Sequence, residues 1–161
     1  MSYARFAAMI GVSTLVMFGL MYLNTYAIEH VRFSETRAFM AVVMGAAMAA
    51  IMLLFMLKMY PDRRTNLAIL AGAAVVFAGS LTLVRSQRTV DDVAFMKAMI
   101  PHHSIAILTS ERARIRDPRV RKLADEIIAT QRREIAEMDA LIADLEGAPA
   151  PDGARVLEPS A

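Results

Sequence analysis

Three long apolar stretches without a charged residue dominate the first half of the chain and restrict its fold. They are Phe6–Ile28, Ala38–Leu57 and Leu67–Val84. The hydrocarbon core of a bilayer is about 30 Å thick, and roughly 17–25 helical residues cross it. Each stretch is long enough, so we predict three transmembrane helices in a first domain, residues 1–84. The lipid bilayer is therefore the first predicted partner.

The first stretch could also be taken for a signal peptide. It is longer than a typical signal-peptide core, however, and has no small-residue cleavage pattern at its end, so we expect it to be retained. Three spans place the two ends of the chain on opposite sides of the membrane. The spans are flanked by four basic residues on each side, so positive-inside counting gives no clear orientation. These residues are Arg5, Lys58, Arg63 and Arg64 on one side, and Arg32, Arg37, Arg85 and Arg88 on the other.

The second half of the chain has the pattern of soluble amphipathic helices. One helix is predicted from Thr89 or Asp91, as N-cap, to about Arg116. Asp117 followed by Pro118 is typical of the start of a second helix, and Gly147 is typical of a helix end. We therefore predict an all-α chain in which a soluble antiparallel helical hairpin (85–147) follows the spans. Residues 148–161, with three prolines, are predicted to be a flexible tail.

Composition excludes several functional classes. Residues 85–147 carry eleven basic and eleven acidic residues, and no basic patch is interleaved with aromatics, so nucleic acid is not an expected partner. The chain has no cysteine, which rules out thiolate metal sites and thiol catalysis. No nucleophile–base constellation and no Glu-x-x-His spacing typical of di-iron bundles is present. We do not expect an enzyme.

The run from Phe95 to His103 carries the clearest chemical signal. At about 100° per residue, Met99 and His103 lie about 60° and 20° from Met96 on a helix, whereas His102 lies further round. Thioethers and an imidazole on one stripe form a donor set that suits Cu(I). The structural alternative is that the methionines fill the core.

Residues of the second soluble helix are expected to face this stripe. The predicted inward faces are Met96, Met99, His103, Ile107 and Ser110 on one helix and Val120, Leu123, Ile127, Gln131, Glu134, Met138, Leu141 and Leu145 on the other. Antiparallel pairing about a turn near Arg116 sets Met138 beside Met96, and Gln131 and Glu134 beside Met99 and His103. Pro101 removes one helical hydrogen bond next to the histidines and tends to kink the axis.

The second span contains a ladder of methionines at four-residue spacing. Met40, Met44, Met48, Met52 and Met56 run beside Ala41, Gly45 and Ala49, a spacing typical of close helix packing. Packing is the preferred interpretation of the ladder. The alternative is a thioether path for Cu(I) through the membrane, joined by Met17, Met21 and Asn24 of the first span.

Residues Asp92–Leu145 resemble the family of domain of unknown function 305 (DUF305), which is ferritin-like and copper-binding. The matching elements are Phe95-Met96, Met99-Ile100-Pro101-His102-His103, Ala106-Ile107, Leu123-Ala124, Ile127-Ile128, Gln131, Glu134-Ile135 and Met138. The resemblance implies a periplasmic four-helix protein that binds Cu(I) or Ag(I), and it implicates Met96, Met99, His102, His103 and Met138. Ser104 and Thr109 depart from the family pattern, which commonly has Gln and Met there, and a common tryptophan is absent.

The sequence thus predicts a membrane-anchored, methionine-rich binding protein for Cu(I), with Ag(I) by the same chemistry, in copper handling or tolerance. The predicted metal residues are Met96, Met99, His102, His103, Glu134 and Met138. One hairpin buries little surface, so we expect a homodimer that completes a four-helix bundle, or docking onto a larger membrane complex. The expected location is the bacterial inner membrane with the C-terminal domain on the periplasmic side. The alternative function is that of a non-metal accessory or assembly subunit of a membrane complex.

Overall fold

The computed structural model describes residues 2–147, and in that range the chain is entirely α-helical apart from turns and connections. The predicted all-α class is confirmed, whereas the predicted flexible tail lies outside the described residues. Two single 3₁₀ turns, Ile28–His30 and Leu57–Met59, lie in the connections. The helices are α1 (Tyr3–Leu20), α2 (Glu35–Phe55), α3 (Arg63–Ser86), α4 (Asp92–Arg112) and α5 (Pro118–Gly147).

Helices α1, α2 and α3 are each long and apolar enough to cross a membrane, as predicted. The predicted end of the first span at Ile28 is wrong, because α1 ends at Leu20. Two successive turns, in which Leu23 N–H donates to the Leu20 carbonyl and Thr25 N–H to that of Tyr22, redirect the chain. The Arg37 guanidinium then donates to the Met21 carbonyl at 2.5 Å, and this cation stabilises the carboxyl end of α1.

Helix α2 lies centrally among the three apolar helices and packs against both α1 and α3. Its buried side includes the predicted small-residue seam at Ala41 and Gly45. The two helices approach each other closely at Gly45, where an added Cβ would lie 2.3 Å from the Thr14 hydroxyl oxygen of α1. The ladder methionines are half-buried beside this seam. Close packing of α1 against α2 therefore depends on a residue without a side chain.

A polar and aromatic cluster ties the start of α1 to the α2–α3 connection. The Tyr3 hydroxyl donates to Asn66 Oδ1 at 2.9 Å, and the buried Asn66 amide donates to the Tyr60 carbonyl at 2.8 Å. The Tyr60 ring packs edge-on against Phe6, with ring centroids 5.5 Å apart. The buried polar groups are thus partnered, as a low-dielectric setting requires.

Helices α4 and α5 begin at the predicted capping residues. Asp91, the second of the two predicted N-caps, accepts from Ala94 N–H at 2.7 Å, and α4 continues through the buried Pro101. Asp117 accepts from Arg119 N–H at 2.8 Å before α5. The predicted carboxyl end of α4 is wrong by about one helical turn, because the helix ends at Arg112 and not near Arg116.

The face of α5 that packs against α4 agrees with the predicted one only in part. The predicted Val120, Leu123 and Leu141 are 49%, 56% and 45% exposed, whereas the other five predicted residues are half-buried: Ile127, Gln131, Glu134, Met138 and Leu145. Three buried residues of α5 were not predicted: Ala124, Ile135 and Ile142.

The connection between α1 and α2 packs onto α4 and α5. The fully buried Ser104 hydroxyl of α4 accepts from Tyr26 N–H at 2.7 Å and lies 2.9 Å from His30 Nδ1. Arg32 forms an ion pair of 3.4 Å with Asp139 of α5. The connecting segment 21–34 thus covers a side of α4 that the sequence did not predict to be buried.

Candidate functional site

An open groove runs between α4 and α5 on the side away from Ser104. Its volume is about 470 Å³, and residues of both helices line it. Five of the six residues predicted to bind metal meet there; the sixth, His102, does not. The lining residues are Asp92, Phe95, Met96, Met99, His103, Glu134, Glu137, Met138, Leu141 and Leu145.

Both ring nitrogens of His103 have a partner. Nδ1 lies 3.0 Å from the Met99 carbonyl oxygen, one helical turn earlier. Since a carbonyl only accepts, Nδ1 carries a hydrogen and donates it. Nε2 points across to α5, where it lies 3.0 Å from Glu134 Oε2, and the His103 side chain is 13% exposed. The imidazole is therefore held in one orientation with Nε2 directed at the opposite helix.

Glu134 is itself held in place by its own helix. The Gln131 side-chain amide donates to Glu134 Oε2 at 3.1 Å, the same oxygen that faces His103. An unprotonated Nε2 and an ionised carboxylate would direct lone pairs at each other across 3.0 Å. A hydrogen on one of the two atoms, or a cation between them, makes this contact favourable.

The rest of the groove combines sulfur with negative charge. Met96 is buried at 6% exposure, whereas Met99 and Met138 are half-buried. Asp92 and Glu137 add two carboxylates to that of Glu134, and no lysine or arginine is among the lining residues. A cleft lined by one sign of charge concentrates counter-ions. The groove therefore attracts cations to a surface on which three thioethers and one imidazole are available.

His102 was predicted as a metal residue together with His103, and its position contradicts a shared site in the groove. The two rings are 6.2 Å apart, and His102 is exposed on another side of α4. It lines a separate cavity of about 310 Å³ with Arg37 and Gln87. The reason is the helical step of about 100° between neighbouring residues. Met99 lies between the two cavities and lines both.

Within residues 2–147, no group of three or more histidine, cysteine, aspartate or glutamate side chains is arranged to hold a metal ion. The donors that meet in the groove are of another kind, because three of them are thioethers. Their assignment as metal ligands stays a prediction.

Several residues of this region were not predicted. Glu137 and Asp92 line the groove, and the signal for Glu137 was present in its three-residue spacing from Glu134. Ser104 and Tyr26 contact each other although they are 78 positions apart in the chain. No local pattern in the sequence indicates such a contact.

Comparison with known proteins agrees with the resemblance noted from the sequence. Residues 92–159 match the family model described as "Domain of unknown function (DUF305)", which is less than half of the chain. An uncharacterised protein of Acanthamoeba polyphaga mimivirus is 43% identical over 61 residues, which cover 37% of this chain and 40% of that protein. The match thus spans well under half the length of this relative. No solved structure matches the chain.

Proposed function

We propose that this protein is a membrane-anchored binding protein for soft monovalent metal ions, Cu(I) and by the same chemistry Ag(I), that serves in copper handling or tolerance. The observation that carries the proposal is the orientation of His103. Its Nδ1–H is fixed on the Met99 carbonyl, so Nε2 is directed into the groove in which Met96, Met99 and Met138 meet. Thioether and imidazole ligands select Cu(I) among the biological metals.

The hydrogen bond that His103 Nδ1 makes supports the proposal. Such a histidine donates its second ring N–H to a carbonyl or carboxylate, which fixes the tautomer and makes the free nitrogen more basic. The Met99 carbonyl provides this partner at 3.0 Å. The thioethers of Met96, Met99 and Met138 would supply the remaining soft donors. They keep their ligand character in an oxidising compartment, where free thiols would be lost.

Glu134 acts in this proposal as the charge partner of the site. A carboxylate is a poor ligand for a soft ion, but it offsets the positive charge that the groove receives. The Gln131 amide keeps the carboxylate oriented towards His103.

We interpret the α4–α5 pair as an antiparallel hairpin, half of a ferritin-like four-helix bundle. Lys97 near the start of α4 pairs with Glu146 at the end of α5 at 2.6 Å, and the Arg121 guanidinium donates to the Ser110 carbonyl near the connection. Both contacts support antiparallel packing. The exposed Leu123 supports a homodimer in which a second hairpin covers this flank.

We further propose that the chain lies in the bacterial inner membrane with α4 and α5 on the periplasmic side. If all three apolar helices span, α4 and α5 lie opposite the N-terminus. A periplasmic location agrees with a soft-metal site built without cysteine. Activity of a periplasmic reporter enzyme fused after α5, with a fusion in the α2–α3 connection as the inactive control, tests the orientation.

A non-metal accessory subunit is the second candidate. The observation in its favour is the apolar flank of α5 at Val120 and Leu123, which are about half exposed and belong to neither the groove nor the α4 contact. Such a flank fits a constant protein partner. Co-purification of one partner at fixed ratio, together with no metal uptake by the purified complex, would favour this function.

The decisive experiment compares silver binding by a variant of the groove with silver binding by a variant of the neighbouring His102. Ag(I), a redox-inert probe for Cu(I), is titrated into the full chain in detergent, and bound silver is measured after desalting. We expect His103→Gln combined with Met96→Leu and Met99→Leu to lose the groove-bound silver. His102→Gln is the matched control, and we expect it to bind as the wild type does. Met–Leu exchanges conserve volume, so folding should be retained and is checked by circular dichroism.

A second control distinguishes silver bound in the groove from silver bound by the methionines of α2. Met44→Leu combined with Met48→Leu removes two half-buried thioethers of α2 and should leave binding unchanged. Equal silver binding by the wild type and the groove variant would refute the proposal. Loss of silver in the α2 variant instead would transfer the site to the membrane helices.

A further inference from the structure

We propose that an acyl chain of an anionic phospholipid occupies the groove between α1 and α3, with its headgroup at the basic end of these helices. This groove, of about 630 Å³, lies within the apolar helices and is separate from the metal groove. Its floor is formed by the small residues Gly45, Ala46 and Ala49 of α2, and Ile10 and Ile69 line its walls.

The dimensions of the groove fit a lipid chain from one leaflet. On α1 it extends from Tyr3 to Thr14, which corresponds to about 17 Å along a helix axis. One leaflet contributes roughly half of the 30 Å hydrocarbon core. A transmembrane helix, a cylinder about 10 Å wide and 30 Å long, fills on the order of 2,400 Å³ and could only lie across the opening.

The polarity of the groove also favours a hydrocarbon chain. The Thr14 hydroxyl, the polar group furthest from the N-terminal end of the groove, already donates to the Ile10 carbonyl at 2.8 Å. Tyr3 and Thr65 lie together at the other end, where α1 and α3 begin. The interior therefore offers no polar partner to a peptide or a polar ligand. The hydroxyls of Tyr3 and Thr65 are hydrogen-bonded to Asn66 and Asp62, so a headgroup at this end would be held by charge.

The charges at that end select an anionic headgroup. The exposed cations Arg5, Lys58, Arg63 and Arg64 lie there, and none of them makes an ion pair within residues 2–147. Asp62 does not neutralise them by pairing, because its carboxylate caps α3. It accepts from the Thr65 hydroxyl and from Arg64 N–H, and these hydrogen bonds lower its pKa. Basic residues close to a membrane surface attract anionic lipids.

The test uses two glycines of α3, of which one lines the groove and the other does not. A Cβ at Gly72 or at Gly79 would meet no atom within 4 Å, so a side chain can begin at either position without an overlap. Only Gly72 lines the groove. The full chain is incorporated into mixed nanodiscs of phosphatidylglycerol and phosphatidylcholine, extracted in mild detergent, and its retained phospholipid is identified by native mass spectrometry.

We expect the wild type and Gly79→Leu to retain phosphatidylglycerol, and Gly72→Leu to lose it. Arg5→Gln combined with Arg64→Gln should lower the preference for phosphatidylglycerol over phosphatidylcholine by roughly fivefold for each arginine. Silver binding by each variant is measured in parallel. It should be unchanged, so failure of the lipid site is distinguishable from failure of the metal site.

Three results would overturn the proposal. The first is equal lipid retention by Gly72→Leu and Gly79→Leu. The second is equal retention of phosphatidylglycerol and phosphatidylcholine by the wild type. The third is loss of a second protein chain, rather than lipid, from Gly72→Leu, which would assign the groove to a helix–helix interface.

Discussion

Replacing Gly45 by alanine should destabilise the packing of α1 against α2. The added Cβ would lie 2.3 Å from the Thr14 hydroxyl oxygen, where ordinary contact begins near 3.4 Å, so the overlap is about 1.1 Å. Rotation of Thr14 would break its hydrogen bond to the Ile10 carbonyl. Either this hydrogen bond is lost or the helices separate.

The expected magnitude follows from two opposing effects. Overpacking of this kind costs about 1–3 kcal/mol, whereas alanine gains up to about 1 kcal/mol over glycine in a helix. Gly72→Ala, which meets no atom within 4 Å, has the propensity gain without the overlap and is the matched control. The free energy of unfolding of Gly45→Ala should therefore lie about 1–3 kcal/mol below that of Gly72→Ala.

The assay is unfolding in mixed micelles by increasing dodecyl sulfate, followed by far-ultraviolet circular dichroism, because the chain has no tryptophan. Thr14→Ala removes the hydroxyl and methyl groups nearest to the new Cβ and should rescue Gly45→Ala. A coupling energy of about 1–3 kcal/mol in this double-mutant cycle is expected. Equal stability of Gly45→Ala and Gly72→Ala, or a coupling energy near zero, would refute the close contact between α1 and α2.

Three further predictions concern the C-terminal helices. Ser104→Ala should expose Tyr26 N–H and cost about 1–3 kcal/mol, seen as faster hydrogen exchange at that amide; unchanged exchange would contradict the contact. Glu134→Gln should weaken silver binding, because it removes the carboxylate that lies 3.0 Å from His103 Nε2 and offsets the charge of the bound ion; unchanged silver binding would contradict this role. Hydrogen bonds from Arg119 lower the pKa of Asp117, so this carboxylate supports α5 at neutral pH and the support is lost as the pH falls below the ordinary aspartate range. The carboxyl carbon chemical shift of Asp117 should report that low midpoint, and an ordinary midpoint would show that the hydrogen bonds do not form.

The apolar helices and the helix starts could be predicted because local chemistry determines them. Length and lack of charge identified three helices that are long and apolar enough to cross a membrane, and Asp91 and Asp117 began α4 and α5 as expected. The end of α1 could not be predicted in this way. The stretch stays uncharged to Ile28, and the helix ends earlier because Arg37, from the next element, binds the Met21 carbonyl.

The residues that meet in the candidate site were predicted better than the packing of the helices around it. A helical step of 100° correctly separated His103 from His102, and facing positions correctly brought Glu134 and Met138 to the groove. The buried face of α5 was predicted only in part, because apolar residues cover more than one side of this helix and contact with α4 decides which of them are buried. The contact of Ser104 with Tyr26 depends on tertiary structure alone, since nothing local relates the two residues.

The docking of segment 21–34 onto Ser104 has a consequence for encounters with other molecules. A domain joined to the apolar helices by a flexible linker alone would adopt many positions and orientations relative to them. Here the link from α3 to α4 is short and segment 21–34 contacts α4 from the side, so the groove keeps a fixed position relative to the three apolar helices. If these helices span a bilayer and the groove binds metal as we propose, a molecule that exchanges metal with it would have to reach it at that position.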